Sequence, residues 1–289
     1  MTETTPDFGP TDAELLGLPT VFANDLFKDK VVLVSGGGSG LGKAAALLFA
    51  RLGATLVLCG RNEARLDAAR ELIERLDGAV MTQSMTIRDA DAVNETMEAI
   101  WNRFGRLDVL LNNAGGQFPQ AAIDYSVKGW NAVIDTNLNG TWYMMQAAAR
   151  KWRADHEQDK PVGNIVNMVA DIWRGMPGIA HTCAARAGVV YLSRSVAVEW
   201  APFGVRVNCV APGCVETSGF AHYPLEGSAT FPDSNPQRNT GDVQDIAEAC
   251  VYLAAPSGKF ITGEVLTVDG GQQLWGDPWP TGRPDYFKL

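Results

Sequence analysis

Short apolar runs alternate with stretches of helical period along most of the chain. Val31–Ser35 (VVLVS) is a β-rich run that ends in glycines, and Leu41–Leu52 follows with apolar residues on one helical face. The alternation continues through Thr55–Cys59 as strand and Asn62–Leu76 as an amphipathic helix that Asn62 would cap. Val80–Ser84 reads as a weaker strand, Asp89–Phe104 as helix, and Leu107–Leu111 as strand leading into NNAGG. A long helical region spans roughly 127–153. Asn164–Val169 then reads as strand, Ala184–Ala201 as helix and Val205–Val210 as strand, with Asp242–Leu253 as helix and Glu264–Val268 as a last strand. Near-continuous apolar strands separated by helices predict an α/β fold whose parallel sheet is covered on both faces.

No internal repeat or composition break marks a second domain, so one domain is expected over 26–272. Residues 1–25 read as a flexible lead, and 273–289 as a Trp/Pro-rich tail that packs on another surface or subunit. The stretch from about 212 to 241 is too long for a plain connection, which marks it as a substrate loop.

Composition narrows the chemistry. With 46% hydrophobic and 20% charged residues the chain is globular, and its net charge of −9 argues against nucleic-acid or anionic-membrane partners. The five cysteines are scattered and never spaced C-x-x-C, as buried thiols in a reducing compartment would be. His156, His181 and His222 form no helical pair, so no metal site is expected. MTETTPDFGP is unlike a signal peptide and no apolar run reaches membrane-spanning length, which points to the cytoplasm. The terminal Phe287-Lys288-Leu289 half-matches the peroxisomal S-K-L address, but Phe287 is bulky where a small residue is wanted, so the peroxisome ranks second.

Ser35 to Gly42, SGGGSGLG, sits between the first strand and first helix. A pyrophosphate must approach backbone N–H groups at a helix N-terminus there, and side chains would obstruct it. At the end of the second strand, where a carboxylate would hold the ribose diol of NAD, the chain has Gly60-Arg61. Arg61 offers charge-assisted hydrogen bonds to a 2′-phosphate, favouring NADP(H); an arginine opening a helix in solvent is the alternative.

SGGGSGLG (35–42), NNAG (112–115), DTNLNGT (135–141), NIVNM (164–168), RVNCVAPG (206–213) and FITGEVLTVDGG (260–271) occur in an order and at spacings that resemble the short-chain dehydrogenase/reductase family, over about 26–272. The resemblance implies a single-domain Rossmann-type doubly wound fold with a seven-stranded parallel sheet, assembled as a homodimer or homotetramer through its two long helices. It implies that Ser35, Gly36, Ser39, Gly40, Leu41 and Gly42 bind the cofactor with Asn113, Ala114 and Gly115 on the adenosine side. Thr86 and Ile87 would flank the adenine, although Thr86 replaces the family's usual aspartate. Pro212, Gly213 and Val215 would lie against the nicotinamide.

The family's tetrad is Asn, Ser, Tyr and Lys. Asn137 matches the first, Val169 or Ala170 stands at the serine position, Thr182 at the tyrosine and Arg186 at the lysine. A carbonyl reductase stripped of its acid would lose about 10²–10⁴-fold in rate, and arginine does not donate protons at neutral pH. Reduction of a carbon–carbon double bond conjugated to a thioester asks instead for fixed donors to an enolate oxygen, a role for Asn137 and, less well oriented, Asn139. The run HTCAARAGV (181–189) and its neighbours look most like the peroxisomal-type trans-2-enoyl-CoA and 2,4-dienoyl-CoA reductase branch, which implies NADPH and an acyl-thioester substrate. Asp171 is the first candidate for the final proton, unless it merely caps a helix, with His181, His222 and Tyr223 behind it. Thr182, His222 and Tyr223 would contact substrate, and Arg186 the nicotinamide ribose or cofactor phosphate, a structural arginine being the alternative. Two other readings remain: an alcohol or carbonyl dehydrogenase whose acid has moved, for instance to Tyr223, and an inactive NADP(H)-binding sensor.

Overall fold

A computed structural model describes residues 8–217, 219–220 and 229–274. The predicted strands form one sheet: β1 (Val31–Ser35), β2 (Thr55–Gly60), β3 (Val80–Ser84), β4 (Val109–Asn112), β5 (Asn164–Met168), β6 (Arg206–Pro212) and β7 (Val265–Val268). All seven run parallel in the order β3-β2-β1-β4-β5-β6-β7. Helices cover both faces, so side chains of opposite parity along each central strand enter different cores. Val32 and Val34 pack with helices α2 (Gly40–Arg51), α3 (Glu63–Glu74) and α8 (Val243–Ala254), whereas Leu33 packs with α4 (Ala90–Phe104) and α6 (Thr141–His156). This two-sided burial is why the strands read as apolar runs rather than alternating ones. Trp152 is fully buried and donates its indole N–H to the Leu107 carbonyl at 2.7 Å, tying α6 to the sheet.

The lead departs from expectation. Residues 8–30 lie along the body, with a one-turn helix α1 (Asp12–Leu15) closed by a capping box between Thr11 and Glu14. Leu15 and Phe27 are buried, and Leu16, Leu18 and Phe22 pack against the α2 side of the core. Their irregular spacing gives no helical period, which is how an apolar strap escapes pattern reading.

The long helical region is also not one regular helix. It comprises α5 (Val127–Ile134), a π-helical segment over Asp135–Gly140 and α6. Helix α7 (Ala180–Trp200) starts four residues earlier than its apolar pattern suggests, placing His181 and Thr182 in its first turn.

Candidate active site

Chain order reverses between β1 and β4, and these strands end in register, with Ser35 opposite Asn112. A crevice beyond the carboxyl ends of strands at such a switch point is where α/β sheets bind ligands. The glycines build it. Gly36 and Gly40 have φ of 68° and 52°, a left-handed conformation that side chains resist. A Cβ on Gly36 would stand 2.9 Å from Asn113 Nδ2, and one on Gly42 would collide with the same amide and with the Gly36 carbonyl. Ser39 caps α2 without a side-chain hydrogen bond, leaving the backbone donors of that helix N-terminus for an anion.

Ser35 and Asn113 brace this cradle. The buried Ser35 hydroxyl accepts from the Asn113 and Ala114 N–H groups at 3.1 and 3.0 Å, and Asn113 Nδ2 donates to the Ser35 and Gly36 carbonyls. Of the expected cofactor residues, Gly36, Ser39, Arg61, Thr86, Ile87, Asn113, Ala114 and Gly115 line a cavity of about 770 Å³. Gly40, Leu41 and Gly42 form the first turn of α2, while Ser35 stands behind the wall. The cradle and cavity suit a dinucleotide, since the glycines at 36, 40 and 42 let a pyrophosphate approach the backbone.

The sequence reading missed part of this wall. Arg65 and Arg88 join Arg61 in the same cavity, opposed by Glu63. Arg65 lies in the first turn of α3, just after its Asn62 cap, and so comes to the same wall as Arg61. Arg88 sits two residues past Thr86, whose hydroxyl accepts its N–H at 3.3 Å, and its guanidinium lies 3.8 Å from Asp135.

The other end of the site is held by Asn137. Its Oδ1 accepts from the Gly116 N–H and its Nδ2 donates to the Gly116 carbonyl, both at 2.9 Å. It lies in the π-helical segment, whose extra residue turns the amide inward; such segments recur at functional sites. Asn139 instead donates to Asp135 at 2.9 Å, which removes it as a second enolate donor.

Arg186 is buried behind the same glycines. One nitrogen donates to the Met168 carbonyl at 2.7 Å, and a Cβ on Gly115 would overlap another. Burial brings the guanidinium down to about 10, which leaves it charged at neutral pH. Among the described residues no carboxylate pairs with it.

Asp171 is buried just beyond β5, its N–H donating to the Pro212 carbonyl at 3.0 Å. Burial and the nearby Asp269 charge raise its carboxyl above the usual range, against the lowering effect of the Trp173 N–H and Arg174. The carboxyl is thereby pushed toward the form that can give up a proton.

Thr182 is buried with its hydroxyl lacking a hydrogen-bond partner among the described residues. His181 stacks on Tyr125 at 4.5 Å and meets Phe118 edge-on at 4.6 Å, while its Nδ1 accepts the Thr182 N–H at 2.8 Å. Burial lowers its pKa, and the Ile179 and Phe118 backbone carbonyls work against that. Pro212 ends β6, the Gly213 N–H donates to the Val268 carbonyl, and Val215 is buried and bridges to Gly241. These three lie outside the 770 Å³ cavity. His222 and Tyr223 lie outside the described residues. Within those residues no cluster of His, Cys, Asp or Glu could hold a metal, and no helix is long and apolar enough to cross a membrane.

Residues 36–273 match the protein family described as enoyl-(acyl carrier protein) reductase. The chain is similar to a probable 2,4-dienoyl-CoA reductase of Bacillus subtilis, 38% identical over 87% of this chain and 98% of that one. It is also similar to the 3-oxoacyl-(acyl-carrier-protein) reductase FabG of Thermotoga maritima, 33% identical over 84% and 97%. Among solved structures, the citronellol catabolism dehydrogenase AtuB of Pseudomonas aeruginosa superposes with a TM-score of 0.78 at 35% identity, covering 88% of this chain and 99% of its own.

Proposed function

This chain belongs to the short-chain dehydrogenase/reductase family of oxidoreductases, and from that premise we propose that it is an NADPH-dependent reductase of the carbon–carbon double bond in an enoyl or dienoyl thioester. One observation carries the reading: the buried position of the family's acid holds Thr182, while a buried cation, Arg186, and the Asn137 clamp are kept. The name of the Bacillus subtilis relative points the same way.

The cofactor, when bound, supplies the hydride. Arg61 and Arg65 favour a cofactor with an extra phosphate, since they outnumber Glu63 in the cavity lining, where Arg88 is already paired with Asp135. Asn137 holds Gly115 and Gly116 in place, and that placement leaves room for the Arg186 side chain beside them. Arg186 opposes negative charge appearing on a thioester oxygen or orients the ribose next to it, and either use answers its lack of a carboxylate. Asp171, its carboxyl raised by burial and Asp269, delivers the proton to carbon. The unpartnered Thr182 hydroxyl is left for the substrate or the ribose. The protein works as a homodimer or homotetramer in the cytoplasm.

An assay panel tests this reading. Purified protein with NADPH is offered crotonyl-CoA, a longer trans-2-enoyl-CoA, a 2,4-dienoyl-CoA, acetoacetyl-CoA and simple ketones, and with NADP+ it is offered terpenoid alcohols. Turnover of the unsaturated thioesters is expected. Turnover of ketones or alcohols alone would replace it with a carbonyl reductase, the activity named for FabG, and tight NADPH binding without turnover would indicate a sensor.

A further inference from the structure

The strap over residues 8–29 ends on the segment that follows β6. Its base is anchored by ordinary packing: Phe27 meets Phe49 edge-on at 4.8 Å, Leu15 is buried, and the Leu18 carbonyl accepts from the Arg51 guanidinium. Its tip makes a different set of contacts. The Phe8 ring lies 5.7 Å from Phe220, which in turn meets Phe231 edge-on at 5.0 Å. The Gly9 N–H donates to the Glu216 carboxylate at 2.9 Å across 207 residues of sequence. Gly9 has φ 82°, and a Cβ there would stand 3.1 Å from the Glu216 carbonyl, so conformation and contact both call for glycine. Three residues on, Asp12 pairs with Lys43.

These partners are not scattered. Lys43 is in the first turn of α2, directly after Gly40-Leu41-Gly42 of the cofactor cradle. Glu216 and Phe220 follow Pro212, Gly213 and Val215 at the end of β6, the stretch that leads into the substrate loop. Five residues of an N-terminal arm therefore bridge the first turn of α2, at the glycine cradle, and the segment after β6.

We propose that Phe8, Gly9 and Asp12 are positioning residues, which hold Glu216 and Phe220, after β6, at their working distance from the cofactor helix. The base of the strap buries enough apolar surface to stay attached without its tip. The tip adds little to global stability, because a surface ion pair contributes little and Phe8 is only half-buried. Its effect falls on local opening of the segment after β6, whose other long-range hydrogen bonds among the described residues include Gly213 N–H to Val268, Glu216 N–H to Gly241, Gly241 N–H to Cys214, and Cys214 N–H to Gln272 Oε1. The inference requires the family assignment and is independent of the thioester reading.

The test compares the full chain with Phe8→Ala, Gly9→Ala, Asp12→Asn, and a chain lacking residues 1–10. Amide hydrogen exchange of 213–220 is measured together with melting temperature and NADPH dissociation constant, and KM and kcat are measured on whichever panel substrate turns over. Phe8→Ala and the shortened chain should speed exchange in 213–220 by about tenfold or more, as expected when a local tie is cut, while exchange in β1 and β4 stays unchanged. KM for the carbon substrate should rise at least about fivefold with kcat within about twofold, the pattern of lost uniform binding, and Phe8→Tyr should restore it. Unchanged exchange of 213–220 in both Phe8→Ala and the shortened chain would overturn the proposal, as would an equal rise in exchange across the whole sheet. The exchange readout needs no turnover, so it stands even if no panel substrate reacts.

Discussion

Asn137 and Gly116 exchange two hydrogen bonds, the side-chain amide on one side matching the backbone N–H and carbonyl on the other. Only an uncharged amide can both donate and accept here. Asn137→Asp keeps the acceptor and loses the donor, and Asn137→Ala leaves both Gly116 groups, which are exposed, to water. Because Gly115 borders the Arg186 guanidinium, that loss should reach the reaction as well. Turnover is expected to fall about 10²-fold in both variants, the scale set by misplacing a reacting group, with NADPH affinity changed less than about threefold. Calorimetry and steady-state kinetics on the two variants check this; full activity in Asn137→Ala would remove Asn137 from the site.

Arg61 decides cofactor choice if the phosphate reading is right. Arg61→Asp should weaken NADPH by at least about tenfold, as expected for a charge-assisted pair turned repulsive, and leave NADH nearly as before. Titration of both dinucleotides by protein fluorescence measures the ratio. Equal losses would show that Arg61 does not read the phosphate, and Arg65→Ala and Arg88→Ala would then locate the group that does.

For Asp171 the sign of the pH effect can be worked out. Its folded-state pKa is raised, so its contribution to stability is full below the unfolded carboxylate pKa and is lost as pH rises through the folded value. Asp171→Asn should therefore raise the melting temperature at pH 7–8 and make no difference near pH 3. Activity should follow the same pH range: the wild-type rate falls as pH climbs past the folded pKa, and the variant, though more stable, is slow throughout without that limb. Melting curves and rate profiles across pH test the two halves separately. A variant as active as wild type would end the donor assignment.

His181 carries the opposite sign. Burial between Tyr125 and Phe118 lowers its pKa, so the stability it contributes is present above about pH 6.5, the unperturbed value, and drains away as pH falls through the folded pKa. A melting temperature that drops as pH falls below the unperturbed value is expected, with the drop reduced in His181→Gln. If both proteins lose stability in parallel, another group governs the acid limb.

Much of the fold was legible because burial on both sheet faces writes itself as VVLVS, TLVLC and VRVNCV, and the cradle because only glycines tolerate its close approaches. Other features lie beyond pattern reading. Nothing in DTNLNG signals a π-helical turn, since none of these residues breaks a helix within a strongly helical context. Ile179 offers no capping side chain, so the early start of α7 left no mark and His181 was read without its aromatic neighbours. Asp269 lies 98 positions after Asp171, and their influence on each other exists only once β5, β6 and β7 stand side by side. The strap was missed because its apolar residues serve several different partners and so keep no period.

The π-helical turn between α5 and α6 also bears on which length changes the chain can tolerate. A regular α-helix turns about 100° per residue, so excising one residue from 135–140 would make the hydrogen-bond ladder uniform. The same excision would rotate α5 relative to α6 and swing Asn137 off Gly116. The more orderly helix would thus be the poorer enzyme, and one-residue deletions scanned along 127–156 should find their functional minimum in the one place where backbone regularity improves.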